Sequence, residues 1–228
     1  MANLLLTGIV GSTAYGLAGP GSDVDRLGVY AAPTVAFHGL DPPTGRTASI
    51  VHHDPDVTYH EAAKAATLLL AGNPTVAELL WLPDDLYEVR TDLGADLIAI
   101  RSAFLCAPRV RDAYLGYATA QFKRLLDTGR FASKMRNRQA KHGRHLLRLL
   151  DQGLALYATG RLPIRLDDPQ RYVDFGTAVA TNPEIARPVL ADAQARFDSV
   201  TSPLPIRPDR ATVEAWLLRV RRAYLDPA

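Results

Sequence analysis

The sequence has a single cysteine, Cys106. One thiol cannot close an intramolecular disulfide or supply a thiolate zinc cluster, so neither kind of staple holds this chain. Cys106 sits among Ala103, Phe104, Leu105 and Ala107, a setting for a small core residue rather than a nucleophile. Long apolar runs are also missing. No stretch approaches the ~20 residues that a membrane span needs. The apolar start, residues 1–10, lacks the basic flank and the length of a secretory leader. A soluble, cytoplasmic protein without membrane association is the expectation. Charge of one sign is scarce as well: 26 Lys and Arg face 24 Asp and Glu, a formal net charge of +2. That excludes a globally basic nucleic-acid binder and leaves the question to local clusters. Internal repeats and low-complexity tracts are absent.

What is present is an ordinary globular composition, 47% apolar and 22% charged over 228 residues, enough for one large or two small domains. Residues 3–10 are a continuous apolar run that ends in Gly11-Ser12, the pattern of a buried strand entering a turn. Residues 12–22 read as a helical turn and then a loop rich in Gly, Ser and Pro. A second strand is expected over Asp23–Tyr30, and an exposed loop over 31–49. Weaker strand signals follow at 49–53 and 56–59. A helix is expected over Glu61–Ala71, stopped by Gly72-Asn73-Pro74, and a short one over Thr75–Trp81 with Thr75 as a possible cap. From about Leu93 the pattern is helical, with clear segments at 109–127, 131–159, 183–199 and 209–225. The expectation is an α+β domain over 1–105 followed by an all-helical domain over 106–228.

The segment from Gly11 to Asp25 carries the chemistry. A strand that ends in Gly-Ser presents bare backbone and a hydroxyl at its edge, and a following helix adds free N–H groups; together these suit phosphate oxygens. Asp23 and Asp25 are two apart on the expected strand, so their side chains share a face. Two carboxylates side by side repel unless a cation neutralises them, and hard oxygen ligands suit Mg²⁺ or Mn²⁺. Such ions can clamp the oxygens of an in-line phosphoryl displacement.

A strand, Gly-Ser, a gap of about ten residues and Asp-hydrophobic-Asp resembles the signature of the DNA polymerase β superfamily of nucleotidyltransferases. The fuller form, Gly11-Ser12, Tyr15-Gly16 and Ser22-Asp23-Val24-Asp25-Arg26-Leu27-Gly28-Val29, looks like its bacterial and phage branch. So do Asp56-Val57-Thr58-Tyr59-His60-Glu61, Gly72-Asn73-Pro74-Thr75 and Glu78-Leu79-Leu80-Trp81. The resemblance is concentrated in residues 4–81. It implies a small mixed sheet flanked by helices, NTP as substrate, and divalent metals held by Asp23, Asp25 and a third carboxylate on a later strand. Asp56 matches that third position, and Asp54 is its close competitor. The resemblance gives the triphosphate to Gly11 and Ser12, with Ser22 beside them in the motif.

Other residues are more ambiguous. Lys64 reads either as a phosphate contact or as a solvated helix lysine. Glu78 reads as structural, and Arg26 should form an ion pair on the face opposite the aspartates. On the basic helix 134–148, Lys134, Lys141, His145 and Arg148 fall on one stripe, opposite Gly143, Leu147, Leu150 and Leu154. That cationic stripe reads as a site for the NTP tail, with Lys141 and His145 as nucleotide ligands, or for an RNA or DNA backbone, or as a solvated face. His52 and His53 lack the further ligands of a zinc site, and Trp81 and Trp216 read as core.

The leading expectation is transfer of a nucleoside monophosphate from an NTP to an acceptor hydroxyl, with a nucleic-acid end favoured and pyrophosphate released. Protein nucleotidylation of the toxin–antitoxin kind is the alternative within the superfamily. A non-catalytic nucleotide- or RNA-binding module on the same fold is the alternative outside enzymes.

Overall fold

The computed structural model describes residues 3–126 and 132–225, with side chains in the second segment described from Arg136 onward. The backbone divides into two compact units: residues 1–105 together with 207–228, and residues 106–206.

The first unit is built on a five-stranded mixed sheet of order β3-β4-β2-β1-β5. Strand β1 (Asn3–Val10) lies inside it, with Leu5 and Leu6 fully buried, as a continuous apolar run requires. It pairs antiparallel with β2 (Asp25–Ala31) and with β5 (Tyr87–Arg90), a short strand that the sequence pattern did not single out. Strand β2 runs parallel to β4 (Asp56–Glu61), and β4 closes antiparallel on β3 (Ser49–His53). Gly28 allows the three central strands to approach: a Cβ there would lie 2.7 Å from Thr7 Cγ2 and 2.8 Å from Tyr59 Cδ1.

Helix α1 (Gly11–Tyr15) follows β1 directly. Helix α2 (Ala62–Leu70) is capped by Glu61, whose carboxylate accepts from the Ala63 amide at 2.7 Å. Helix α3 (Pro74–Glu78) is capped by Asn73 rather than by Thr75, because Pro74 takes the first helical position and leaves Asn73 Oδ1 to accept from Val76 N. A 3-10 turn then carries Leu79–Trp81. Trp81 is only half-buried, with the Arg101 guanidinium 4.3 Å from its ring centroid. Helix α4 (Asp92–Ala99) lies against β1; a Cβ on Gly94 would meet Leu5 O at 2.2 Å.

Helix α9 (Arg210–Ala223) belongs to this unit, whereas the sequence reading counts it with the helical domain. Trp216 explains the difference: it is buried and its Nε1 donates to Leu93 O at 3.0 Å. Arg219 pairs with Asp96, and Arg221 reaches the buried Glu61 at 2.7 Å. The segment expected as an exposed loop begins with a 3-10 turn over Thr34–His38 held against the end of α9: Thr34 N donates to Tyr224 O, and Thr34 Oγ1 to Arg221 O.

The second unit is helical: α5 (Ala107–Leu126), α6 (Ala132–Thr159), α7 (Pro169–Thr181) and α8 (Ala186–Ser199). Helix α7 has no counterpart among the helices read from sequence, although Asp168 caps it and Pro169 starts it. Helix α6 packs against α5, α7 and α8. From Leu146 to Leu156 its leucines are buried on all sides, so it is the axis of the unit.

Candidate active site

Strand β1 ends at Val10 because Gly11 adopts φ +69°, a conformation that L side chains rarely take. The turn places Gly11 against β2. A Cβ on Gly11 would stand 2.2 Å from Asp25 Oδ2, so the Asp25 carboxylate lies over bare backbone at this position. Ser12 follows, half-buried, in the single turn of α1; its carbonyl accepts from Leu17 N at 2.8 Å.

Asp25 pairs with Val10 across the β1–β2 ladder and opens β2. Asp56 opens β4. The parallel ladder between the two strands begins one residue later, at Arg26 and Val57, so Asp25 and Asp56 stand at the same end of neighbouring strands. Residues in register share a face of the sheet, and the face alternates along each strand. Asp25 and Asp56 therefore point the same way and Arg26 points the other. Arg26 Nε donates to both carboxylate oxygens of Glu88, at 2.9 and 3.0 Å, the ion pair expected away from the aspartates.

Asp23 departs from the expected geometry. Strand β2 starts at Asp25, so Asp23 is not on the strand but in the exposed stretch before it. The reason is local. Residues 19–22 close a turn in which Ser22 N donates to Gly19 O and Gly19 N donates to Ser22 Oγ, and pairing to β1 cannot begin before Val10 has a partner. Ser22 is thus exposed and engaged in that turn. Asp54 lies at the tip of the β3–β4 hairpin, and His53 is in register with Asp56. Among the described residues, no three His, Cys, Asp or Glu side chains are gathered into a group that could hold a metal ion. Asp25 and Asp56 are brought to one edge. They are oxygen donors of the hard kind that Mg²⁺ or Mn²⁺ takes.

Lys64 sits on α2 and its Nζ donates to Gly45 O at 2.9 Å, tying the 39–48 loop to the helix. On the same stretch His60 Nδ1 is 2.8 Å from Ser49 Oγ, and burial, followed by the Lys64 charge, lowers its pKa. Glu78, read as structural, is buried and accepts from the Tyr15 hydroxyl at 2.5 Å. That contact joins α1 to α3, and nothing in the sequence spacing of 63 residues announces it.

The stripe expected on α6 divides in two. Lys134 lies outside the residues whose side chains are described. Lys141 is exposed, His145 is half-buried, and Arg148 is 2% exposed. Arg148 donates to Gln152 Oε1 at 2.5 Å and bonds His145 Nδ1 at 2.8 Å, and Gln152 in turn donates to Pro163 O. Burial, then the neighbouring Arg148, pushes the His145 pKa down to about 3. His145 is therefore neutral at physiological pH, and with Arg148 it forms an interior polar network rather than a cationic face.

The sequence model of a family described as RlaP, RNA repair pathway DNA polymerase beta family, matches residues 1–184. No curated protein matches the chain at a significant level. The family match spans both the sheet with its Gly11-Ser12 turn and aspartates and most of the helical unit, and the chain belongs to the RNA repair pathway DNA polymerase beta family.

Proposed function

We propose that the protein transfers a nucleoside monophosphate from an NTP to the hydroxyl at a nucleic-acid end, RNA in the first instance, and releases pyrophosphate. The observation that carries this reading is the seat of the Asp25 carboxylate on the bare backbone of Gly11, with Asp56 at the same end of the adjoining parallel strand. Phosphate-binding turn and carboxylates then act on one substrate. Gly11 and Ser12 receive the triphosphate. Asp25 and Asp56, with Asp23 from the preceding loop, hold Mg²⁺ or Mn²⁺, which supplies positive charge against the phosphates. Asp25 orients the acceptor hydroxyl for attack in line with the departing pyrophosphate. Lys64 acts indirectly, by fixing the 39–48 loop through Gly45. His145, neutral and engaged with Arg148, has no charge to offer a phosphate. The family description favours a nucleic-acid acceptor over a protein hydroxyl.

The test is incubation of the full chain with each α-labelled NTP and Mg²⁺ or Mn²⁺, against RNA, DNA and protein acceptors, beside D23A/D25A. Label on an RNA or DNA end that the double variant fails to place there supports the reading. Label on protein alone moves the acceptor to a protein hydroxyl. Absence of transfer under every condition, with NTP bound equally by both chains, leaves a binding module.

A further inference from the structure

The end of α5 and the middle of α6 lie side by side. Gln121 Oε1 is 2.8 Å from His142 Nδ1, and Gln139 Nε2 donates to Leu125 O at 3.2 Å. These bonds bring residues 121–125 of one helix next to residues 139–142 of the other. Arg124 on α5 and Arg138 and Lys141 on α6 are all exposed there. Each is near enough to His142 to lower its pKa, behind the larger effect of burial. Among the described residues, none of these three cations forms an ion pair or a hydrogen bond with a carboxylate. Other arginines of the same unit do: the half-buried Arg111 with Asp198, and the exposed Arg171 and Arg187 with Asp151 and Glu184. The sequence explains the contrast. Residues 113–150 hold nine lysines and arginines and one acid, Asp127. Like charges so close repel one another, and a folded protein that keeps them unneutralised has an external anion as the natural counter-charge.

We propose that Arg124, Arg138 and Lys141 form a two-helix surface that holds the phosphodiester backbone of single-stranded RNA. The choice of RNA over another polyanion rests on the reading of the chain as an RNA-directed nucleotidyltransferase; the surface itself does not. Its shape favours a polymer: long side chains spread over two helices on an open face contact successive phosphates rather than enclose one small anion. A membrane surface fits worse. An interfacial helix must expose an apolar face, and the leucines of α6 at 146, 147, 149, 150 and 154 are buried. The surface differs from the stripe expected from sequence. Arg148 and His145 have left it for the interior, and Arg124 has joined it from another helix.

The experiment measures binding of the full chain to a labelled single-stranded RNA, without NTP or metal, as a function of KCl concentration. The wild type is compared with R124E/R138E/K141E and with R124A/R138A/K141A. Loss of three contacts to a single strand lowers the slope of log affinity against log salt by about 2, and affinity at low salt falls at least about tenfold. Thermal unfolding stays at the wild-type value, because the three side chains are exposed and, among the described residues, hold no carboxylate. Equal RNA affinity and salt slope in all three chains overturns the proposal. So does a wild type that binds no RNA, that prefers DNA of the same sequence, or that binds polyglutamate as tightly. The two readings fail separately. Nucleotide transfer to a short acceptor with no effect of the triple variants on RNA binding sinks the surface alone. RNA bound through these residues with no transfer of any nucleotide sinks the enzymatic reading alone.

Discussion

The Tyr15 hydroxyl donates to the Glu78 carboxylate at 2.5 Å, with both side chains buried. The bond fastens the one-turn helix after Gly11-Ser12 to α3, on the far side of three strands and a helix in sequence. Y15F removes the donor and leaves the ring. It should lower unfolding free energy by about 1–3 kcal/mol, the range for disturbing a buried hydrogen bond to a carboxylate. It should also weaken NTP binding, because the turn loses its anchor. Urea unfolding and NTP titration of the same preparation check both. A variant that loses stability but binds NTP as the wild type does would make Tyr15 purely structural.

Gly11 is constrained twice, by φ +69° and by the Asp25 oxygen at 2.2 Å from any Cβ. G11A therefore strains the backbone and displaces Asp25. A cost of about 1–3 kcal/mol is expected from the backbone conformation alone. Transfer activity should fall by a larger factor than D23A causes, since Asp23 stands outside the sheet. Rates for G11A and D23A measured side by side decide this, and a G11A rate above that of D23A would contradict it.

Arg221 meets Glu61, which is 1% exposed, at 2.7 Å and covers Phe37, with its guanidinium 4.1 Å from the ring centroid. R221A leaves a buried carboxylate without this counter-charge. A loss of about 3–5 kcal/mol is expected for breaking a buried pair from one side. E61Q/R221A should recover part of it. A melting temperature for R221A within a degree or two of wild type would show that Glu61 does not depend on α9.

Much of this was legible in the sequence, and for identifiable reasons. Strand β1 and the Gly11-Ser12 turn follow from an unbroken apolar run and a glycine, signals that need no tertiary context. Arg26 was readable from strand alternation alone. The failures lie where tertiary structure overrides local pattern. Asp23 has the spacing of a strand residue, but the reach of β1 fixes where pairing starts. Arg148 and His145 have the spacing of a charged face, but α6 is the central helix of its unit, so a stripe opposite the leucines is also interior. Helix α7 has an apolar periodicity like that of α9 and an Asp168-Pro169 start, so its signals stand in the sequence and the reading passed over them. The pairings Tyr15–Glu78 and Glu61–Arg221 span 63 and 160 residues, beyond anything that spacing can encode.

His145 makes the helical unit sensitive to acid. Its folded pKa, about 3, lies below the ordinary histidine value of 6.5, because burial and Arg148 disfavour the charged form. The unfolded chain binds a proton there as pH falls through 6.5, and the folded chain does not until about pH 3. Stability is thus fully present above 6.5 and is lost progressively between 6.5 and 3. Linkage gives a loss of about 1–2 kcal/mol from pH 7 to pH 5 for this one group. His142 and His60 shift in the same direction and add to it. Unfolding of wild type and H145Q at both pH values isolates the His145 share; an equal pH dependence in the two would contradict it.

The central claim is that Asp25 and Asp56 act together on a nucleotide held at the Gly11-Ser12 turn. Single-turnover transfer from an α-labelled NTP to an RNA end, by the wild type, D25N, D56N and D54N, tests it most directly. The account predicts that D25N and D56N each abolish transfer while folding and RNA binding persist, and that D54N, altered only at the hairpin tip, keeps most of the wild-type rate. Transfer that survives D25N, or that is lost in D54N and kept in D56N, would contradict it.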